Sequence, residues 1–280
     1  MKISVVIPSF NRAHTLPRAL QSVYRQTAPV DEVILIDDGS TDGSCAGLES
    51  QFPGLRVIRQ AQQGVSTARN LGIREARHDW IALLDSDDCW LDHKIERLRE
   101  AAVANPDYVL YHSDEIWIRD GVRVNPMHKH RKTGGWIFQR CLPLCAISPS
   151  TTLIRKSTLL ELGLFDENLP ACEDYDLWLR LCHRYPVYFV DEALVTRYAG
   201  HADQLSQRYP QMDRFRVRSL ARLLEQESLE PDDYQAALNT LLKKLDILLN
   251  GARKHGNHAV IAEFEPIQTH WRQQRTPLPC

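Results

Sequence analysis

Three short apolar runs limit what this chain can fold into: ISVVI at residues 3–7, EVILI at 32–36 and WIALL at 80–84. None alternates polar with apolar, so each reads as a strand covered on both faces. Helical patterns lie between them, at Leu16–Gln26, from Ser40 or Thr41 to about Gln51, and at Val65–Ala76. One further short strand fits Leu55–Ile58. Strand and helix in regular succession predict parallel βαβ units. The expected fold class is therefore α/β, with a mostly parallel sheet flanked by helices.

Each long run stops in polar residues: PSFN at 8–11, DDGS at 37–40 and DSDD at 85–88. Parallel sheets bind ligands beyond the carboxyl ends of their strands, so these stretches should meet on one edge. Gathering carboxylates there is costly unless a cation neutralises them. Clustered oxygen donors suit magnesium or manganese, usually with substrate phosphate completing the shell. Residue types alone leave two readings open: a metal-held phosphate ligand, or solvated loop acids.

Other nucleotide and hydrolase sites are excluded by motif. No G-x-G-x-x-G follows the first strand, and neither a P-loop nor a G-x-S-x-G elbow is present. A net charge of -2 gives no bias toward nucleic acid. The seven cysteines are irregularly spaced and predict a reduced, cytoplasmic compartment. Cys141 and Cys145 are a close pair, but no second ligand pair accompanies them to hold zinc. The N-terminal apolar run is too short for a secretory signal, and no stretch is long enough to span a bilayer.

The later pattern differs. A strand fits Tyr108–His112, and EIWIRDGVRV reads as a hairpin turning at Asp120-Gly121. PMHKHRKTGG at 126–135 reads as a mobile basic loop, SPSTTLI as a strand, and Tyr175–Leu181 as a short helix. From Met212 the pattern is helical, with leucines from Leu238 to Leu249 at packing intervals.

Five stretches now carry a resemblance: SVVIPSFNR, ILIDDGSTDGS, QGVSTARNLGI, ALLDSDDCWL and ELGLFDENLPACEDYDLWLRL. In this order and at this spacing the chain resembles family 2 glycosyltransferases, inverting enzymes of the GT-A fold. The resemblance covers residues 1–205. It implies a GT-A domain there, split into a nucleotide-binding half (1–112) and an acceptor-binding half (113–205). A helical C-terminal extension (206–280) lies outside it.

The resemblance also implies site residues. Pro8, Ser9 and Asn11 would contact the nucleotide, Asp38 the base, and Gly64, Arg69 and Asn70 the segment beside base and phosphates. Asp85-Ser86-Asp87 matches the Asp-x-Asp motif, with Asp85 toward the ribose and Asp87 as direct metal ligand. Glu173-Asp174 matches the Glu-Asp pair in which the aspartate, here Asp174, is the catalytic base. His201, in RYAGHADQLS, falls where such enzymes often carry a histidine near the metal. The chain departs from the pattern at Trp90-Leu91-Asp92, where Trp-Leu-Pro is common.

Several residues have plainer readings. Asp37 and Asp42 suit turns and caps, and Asp88 suits either a cap for the helix from Leu91 or a place behind the metal ligands. Trp90 and Trp178 suit the core, whereas Trp136, beside Gly134-Gly135, is the tryptophan placed to stack on an acceptor. His128–Lys132 reads as a solvated loop, an acceptor-side lid or a lipid-phosphate contact. Arg214, Arg216, Arg218 and Arg222 read as surface charge.

The expectation is an inverting glycosyltransferase using Mn2+ or Mg2+. It would move a sugar from a nucleotide-sugar donor, a UDP-sugar, to a hydroxyl of a glycan or lipid-linked acceptor in cell-surface polysaccharide synthesis. The rival readings are a non-catalytic nucleotide-sugar or glycan-binding module and a sugar-1-phosphate nucleotidyltransferase. No nucleic acid partner is expected. Peripheral contact at the inner face of the membrane and a homodimer through the C-terminal helices are both compatible with the sequence.

Overall fold

The computed structural model describes residues 1–125, 127–200, 208–209 and 211–274. The parallel half follows the expected order: β1 (Ile3–Ser9), α1 (Leu16–Tyr24), β2 (Glu32–Asp37), α2 (Leu48–Gln51), β3 (Leu55–Arg59), α3 (Val65–Glu75) and β4 (Trp80–Leu83). Next come β5 (Cys89–Trp90), α4 (Lys94–Ala104), β6 (Leu110–Arg119), β7 (Val122–Val124), α5 (Phe138–Cys141), β8 (Leu153–Arg155), α6 (Lys156–Glu161), α7 (Glu173–Cys182) and β9 (Tyr188–Ala199). Helices α8 (Asp213–Gln226), α9 (Pro231–Lys254) and α10 (His258–Gln273) close the described chain. Among the described residues no helix is long and apolar enough to cross a membrane.

One mixed sheet runs β3-β2-β1-β4-β8-β6-β9-β5, with β7 paired to β6. β1 lies parallel to both neighbours, Val5 opposite Val33 on one side and Ala82 on the other. β8 runs antiparallel to β4 and β6, which turns the sheet from its parallel half into the mixed one.

Alternate residues of the apolar strands face opposite cores, which is why these strands show no alternation. Val6, Ile34 and Ile81 join one core, while Val5, Leu35 and Ala82 join the other with α1 and α4. Gly72 lets α3 approach β1 closely; a Cβ there would overlap the Val6 side chain. Leu238, Leu241, Leu245 and Leu249 of α9 share a core with Leu177 and Leu181 of α7. The boundary expected at residue 205 lies outside the described residues.

Four local expectations change. The helix from Ser40 or Thr41 shrinks to α2, because the preceding residues serve a loop instead: Asn11 N donates to Ser40 Oγ (2.9 Å) and Thr41 N to Asn11 Oδ1 (2.8 Å). The basic loop is anchored at its end, where buried Lys132 pairs with buried Glu115 at 3.0 Å. Asp88 caps no helix: it accepts hydrogen bonds from Ser150 Oγ (2.6 Å) and from Tyr198 N (3.2 Å). The tail arginines are paired, Arg222 with Asp166 and Asp176, Arg216 with Asp213, and Arg214 and Arg218 with Glu263. Trp90 and Trp178 are buried as expected.

Candidate active site

A cleft of about 980 Å³ opens at the carboxyl ends of β1, β2 and β4. Its wall includes Pro8, Ser9, Asn11, Asp38, Gly64, Arg69, Asp85, Asp87, Glu173 and Asp174, so most of the expected site residues are together. Asn70 lies behind the wall, Trp136 is 70% exposed elsewhere, and His201 falls outside the described residues.

The nucleotide side is built by loop-to-loop hydrogen bonds. Asn11, at φ 52°, ties the end of β1 to the loop after β2. The Asp38 carboxylate accepts from Gln60 Nε2 (2.7 Å) and the backbone N–H groups of Gln63 and Gly64 (both 2.8 Å). It thereby folds the segment that leads into α3. Gly64 sits at φ 98°, a conformation that favours glycine, and starts α3 with its amide end toward the cleft.

Arg69 spans the floor. Its Nη1 donates to Glu173 Oε1 at 2.5 Å and its Nη2 to Asp85 Oδ1 at 2.7 Å, with its side chain almost wholly buried. Burial pushes the Glu173 carboxyl up; Arg69 opposes that and Asp174 adds to it. Asn70 holds the next loop: its Nδ2 donates to Phe165 O and Glu167 Oε1 (both 2.8 Å), and its Oδ1 accepts from Phe165 N (3.0 Å). That loop carries the chain to α7. One helix turn of α3 therefore places both the acid motif and the Glu-Asp pair.

Three carboxylates stand close together at the end of β4. Buried Asp88 is pushed well above the ordinary carboxyl range, first by burial and then by Asp87 and Asp85. Arg197, on β9, faces this cluster from the cleft wall and is half exposed. Arg18 donates to the Asp87 carbonyl at 2.8 Å and stacks on Tyr198.

Asp174 occupies the first turn of α7, at the positive end of the helix. Its Oδ1 accepts from Tyr175 N (2.7 Å), and its Oδ2 lies 3.2 Å from Cys145 Sγ. Cys172 precedes the helix at φ 62°, a left-handed conformation unusual for a residue with a Cβ.

The sequence reading missed Arg197 and Cys145 as cleft residues. A charged residue inside the strand ALVTRYA was the available sign for Arg197. Cys145 was weighed against Cys141 as a zinc pair, but Cys141 hydrogen-bonds Cys182, and all six described cysteines are free.

Comparison with known proteins identifies the family. The model of "Glycosyl transferase family 2" matches residues 4–161, and that of "Glycosyltransferase like family 2" matches 135–227. The chain belongs to glycosyl transferase family 2. A Rickettsia felis protein described as an uncharacterized glycosyltransferase is 31% identical over 196 residues, 69% of this chain and 32% of the relative. A Haemophilus influenzae protein described likewise is 27% identical over 208 residues, 69% of this chain and 66% of that one. The chain thus spans about a third of the Rickettsia relative.

Among solved structures, S. aureus TarS 1–349 in complex with UDP is similar at TM-score 0.68 and 20% identity, over 91% of this chain and 74% of that one. The TarS complex with UDP-GlcNAc is similar at 0.65 and 18% identity, over 99% and 93%. These likenesses establish the GT-A fold.

Proposed function

We propose that the cleft transfers a sugar, with inversion, from a UDP-sugar to a hydroxyl of a glycan or lipid-linked acceptor in cell-surface polysaccharide synthesis. The observation that carries this reading is the Arg69 bridge, which joins the Asp85 side of the cleft to the Glu173-Asp174 side through one guanidinium. A pure binding module has no need of a base such as Asp174 across the cleft from the acid motif. The UDP and UDP-GlcNAc bound by the TarS structures are the support for a UDP-sugar donor.

The carboxylates suit a hard cation: Asp85 and Asp87 offer oxygen donors, and buried Asp88 beside them is pushed up first by burial and then by their charges. Among the described residues no three His, Cys, Asp or Glu side chains form a metal cage, so substrate phosphate and water would complete the shell. Asp87 and Asp85 would hold Mn2+ or Mg2+, with His201 the expected further ligand. The cation would supply charge compensation for the departing diphosphate.

The chain's own residues do the rest. Asp38 and Asn11 shape the base side, Asp85 meets the ribose, and Arg197 offers a fixed positive charge to the phosphates. Asp174 takes the proton of the acceptor hydroxyl as the new bond forms. Glu173, held by Arg69, keeps the helix start in place. A direct displacement of this kind needs no covalent nucleophile.

A thermal-shift panel of nucleotide-sugars, with and without Mn2+, tests the reading. A ligand bound by the native state raises the melting temperature by mass action. UDP-sugars with Mn2+ should give the largest shift, and Asp87→Ala should abolish the Mn2+-dependent part. Equal shifts for ADP- and UDP-sugars, unchanged by Mn2+, would remove the donor assignment.

A further inference from the structure

One surface differs in charge from the rest of the molecule. Elsewhere many exposed and half-buried arginines find acids: Arg56 pairs with Glu32, Arg99 with Asp31, and Arg184 and Arg222 with their own partners. On the β6–β7 hairpin and the segment after it, Arg119, Arg123, Lys129, Arg131 and Arg140 are all exposed, and none pairs with a carboxylate among the described residues.

These cations belong to one surface. The rings of Trp117 in β6 and His130 lie 5.2 Å apart, which sets the hairpin against the loop. Arg140 Nη2 donates to the Arg131 carbonyl at 2.6 Å, which sets α5 against the same loop. Arg197 lies 5.5 Å from the Trp117 ring, so the surface runs up to the cleft wall.

Large apolar side chains alternate with the cations along this stretch of the chain. Val122, Met127 and Trp136 are 65%, 62% and 70% exposed. A soluble polyanion would answer the charges and leave these three side chains in water. The headgroup layer of a bilayer answers both: its phosphates pair with lysine and arginine, and indole rings settle at headgroup level.

We propose that this surface rests on an anionic lipid bilayer and holds the mouth of the cleft beside it. The inference is independent of the transferase reading, since lipid binding is measured with no donor present.

The experiment is co-sedimentation of the full chain with phosphatidylcholine vesicles, with and without phosphatidylglycerol, at rising salt. The chain should bind the anionic vesicles, release them as salt rises, and leave the neutral ones in solution. A basic residue near such a surface is worth about five-fold in partitioning. Lys129→Glu combined with Arg131→Glu should therefore lower binding at least about 25-fold. Trp136→Ala should weaken it several-fold and leave its salt dependence intact. All three positions are exposed, and a melting curve confirms that the variants fold. Failure of the wild type to sediment, or unchanged sedimentation of the charge-reversed variant, overturns the proposal. So does a charge-dependent binding that Trp136→Ala leaves untouched, which would make the surface a polyanion site.

Discussion

Cys145 Sγ lies 3.2 Å from Asp174 Oδ2 and 3.2 Å from the Ile147 carbonyl oxygen. Burial, then the Asp174 charge, pushes the thiol well up, so it stays protonated and donates. The two acceptors let the S–H serve both states of the carboxyl. On the proposed mechanism it would point to Asp174 before that group takes the acceptor proton, and to Ile147 afterwards. Cys145→Ala should lower kcat about five-fold, the value of one weak hydrogen bond of about 1 kcal/mol. Donor affinity should hold, and Cys145→Ser should restore the rate. A lowered melting temperature with an unchanged kcat would mean that the thiol only packs.

Asp174 itself has a sharper expectation. Asp174→Asn keeps the shape and, because asparagine is a good helix-start residue, keeps α7. Removing a general base costs about 10²–10⁴ in rate. Donor affinity should change little, since the proposed base acts on the acceptor. Transfer close to the wild-type rate would sink the base assignment, and lost donor binding would move Asp174 to the nucleotide side.

Most of the parallel half was legible because its signals are local. Strands buried on both faces must be apolar throughout, and ILI in β2 is apolar for that reason. The polar ends at Ser9, Asp38 and Asp85 meet because parallel neighbours align their carboxyl ends. Asp88 was not legible: a capping aspartate and one bonded to Ser150 and Tyr198, 62 and 110 residues away, look alike in sequence. Lys132 was hidden inside a basic run, where nothing local shows that one of the cations finds Glu115. Cys145 and Arg197 reach the cleft from separate segments, so no motif joins them to Asp174.

The Arg69 bridge predicts a stability effect. Arg69 pairs with both Glu173 and Asp85. Removing one member of a buried pair leaves a charge stranded and costs about 3–5 kcal/mol. Arg69→Met should fall in that range by denaturant unfolding, and Glu173→Gln in the Arg69→Met background should recover part of it. Lysine gathers its three donors on one nitrogen and cannot span the two acids from separate nitrogens as guanidinium does, so Arg69→Lys should behave more like methionine than like wild type. A wild-type midpoint for Arg69→Met would show that the bridge contributes nothing to the fold.

A pH prediction comes from His112, which is fully buried on β6. Its Nε2 lies 3.1 Å from the Thr133 carbonyl, which can only accept, so that nitrogen carries the proton. Nδ1 has no partner. Burial first, and the Lys132 charge second, lower its pKa to about 3. Unfolding returns the imidazole to about 6.5. Between those values the unfolded chain binds a proton that the folded one refuses, so stability falls as pH drops below about 6.5. From about pH 7.5 to about pH 5 the loss from this group is about 2 kcal/mol. Glu115, lowered to about 2 despite its burial by Lys132 and Arg197, works in the same direction but only below about 4.5. His112→Gln keeps an N–H donor and does not titrate. Its unfolding free energy should therefore drop about 2 kcal/mol less than that of wild type over the same interval. Denaturant titrations of both proteins at the two pH values make the measurement. Equal losses in the two would mean that folded His112 takes up its proton freely, and the neutral, buried imidazole would have to be given up.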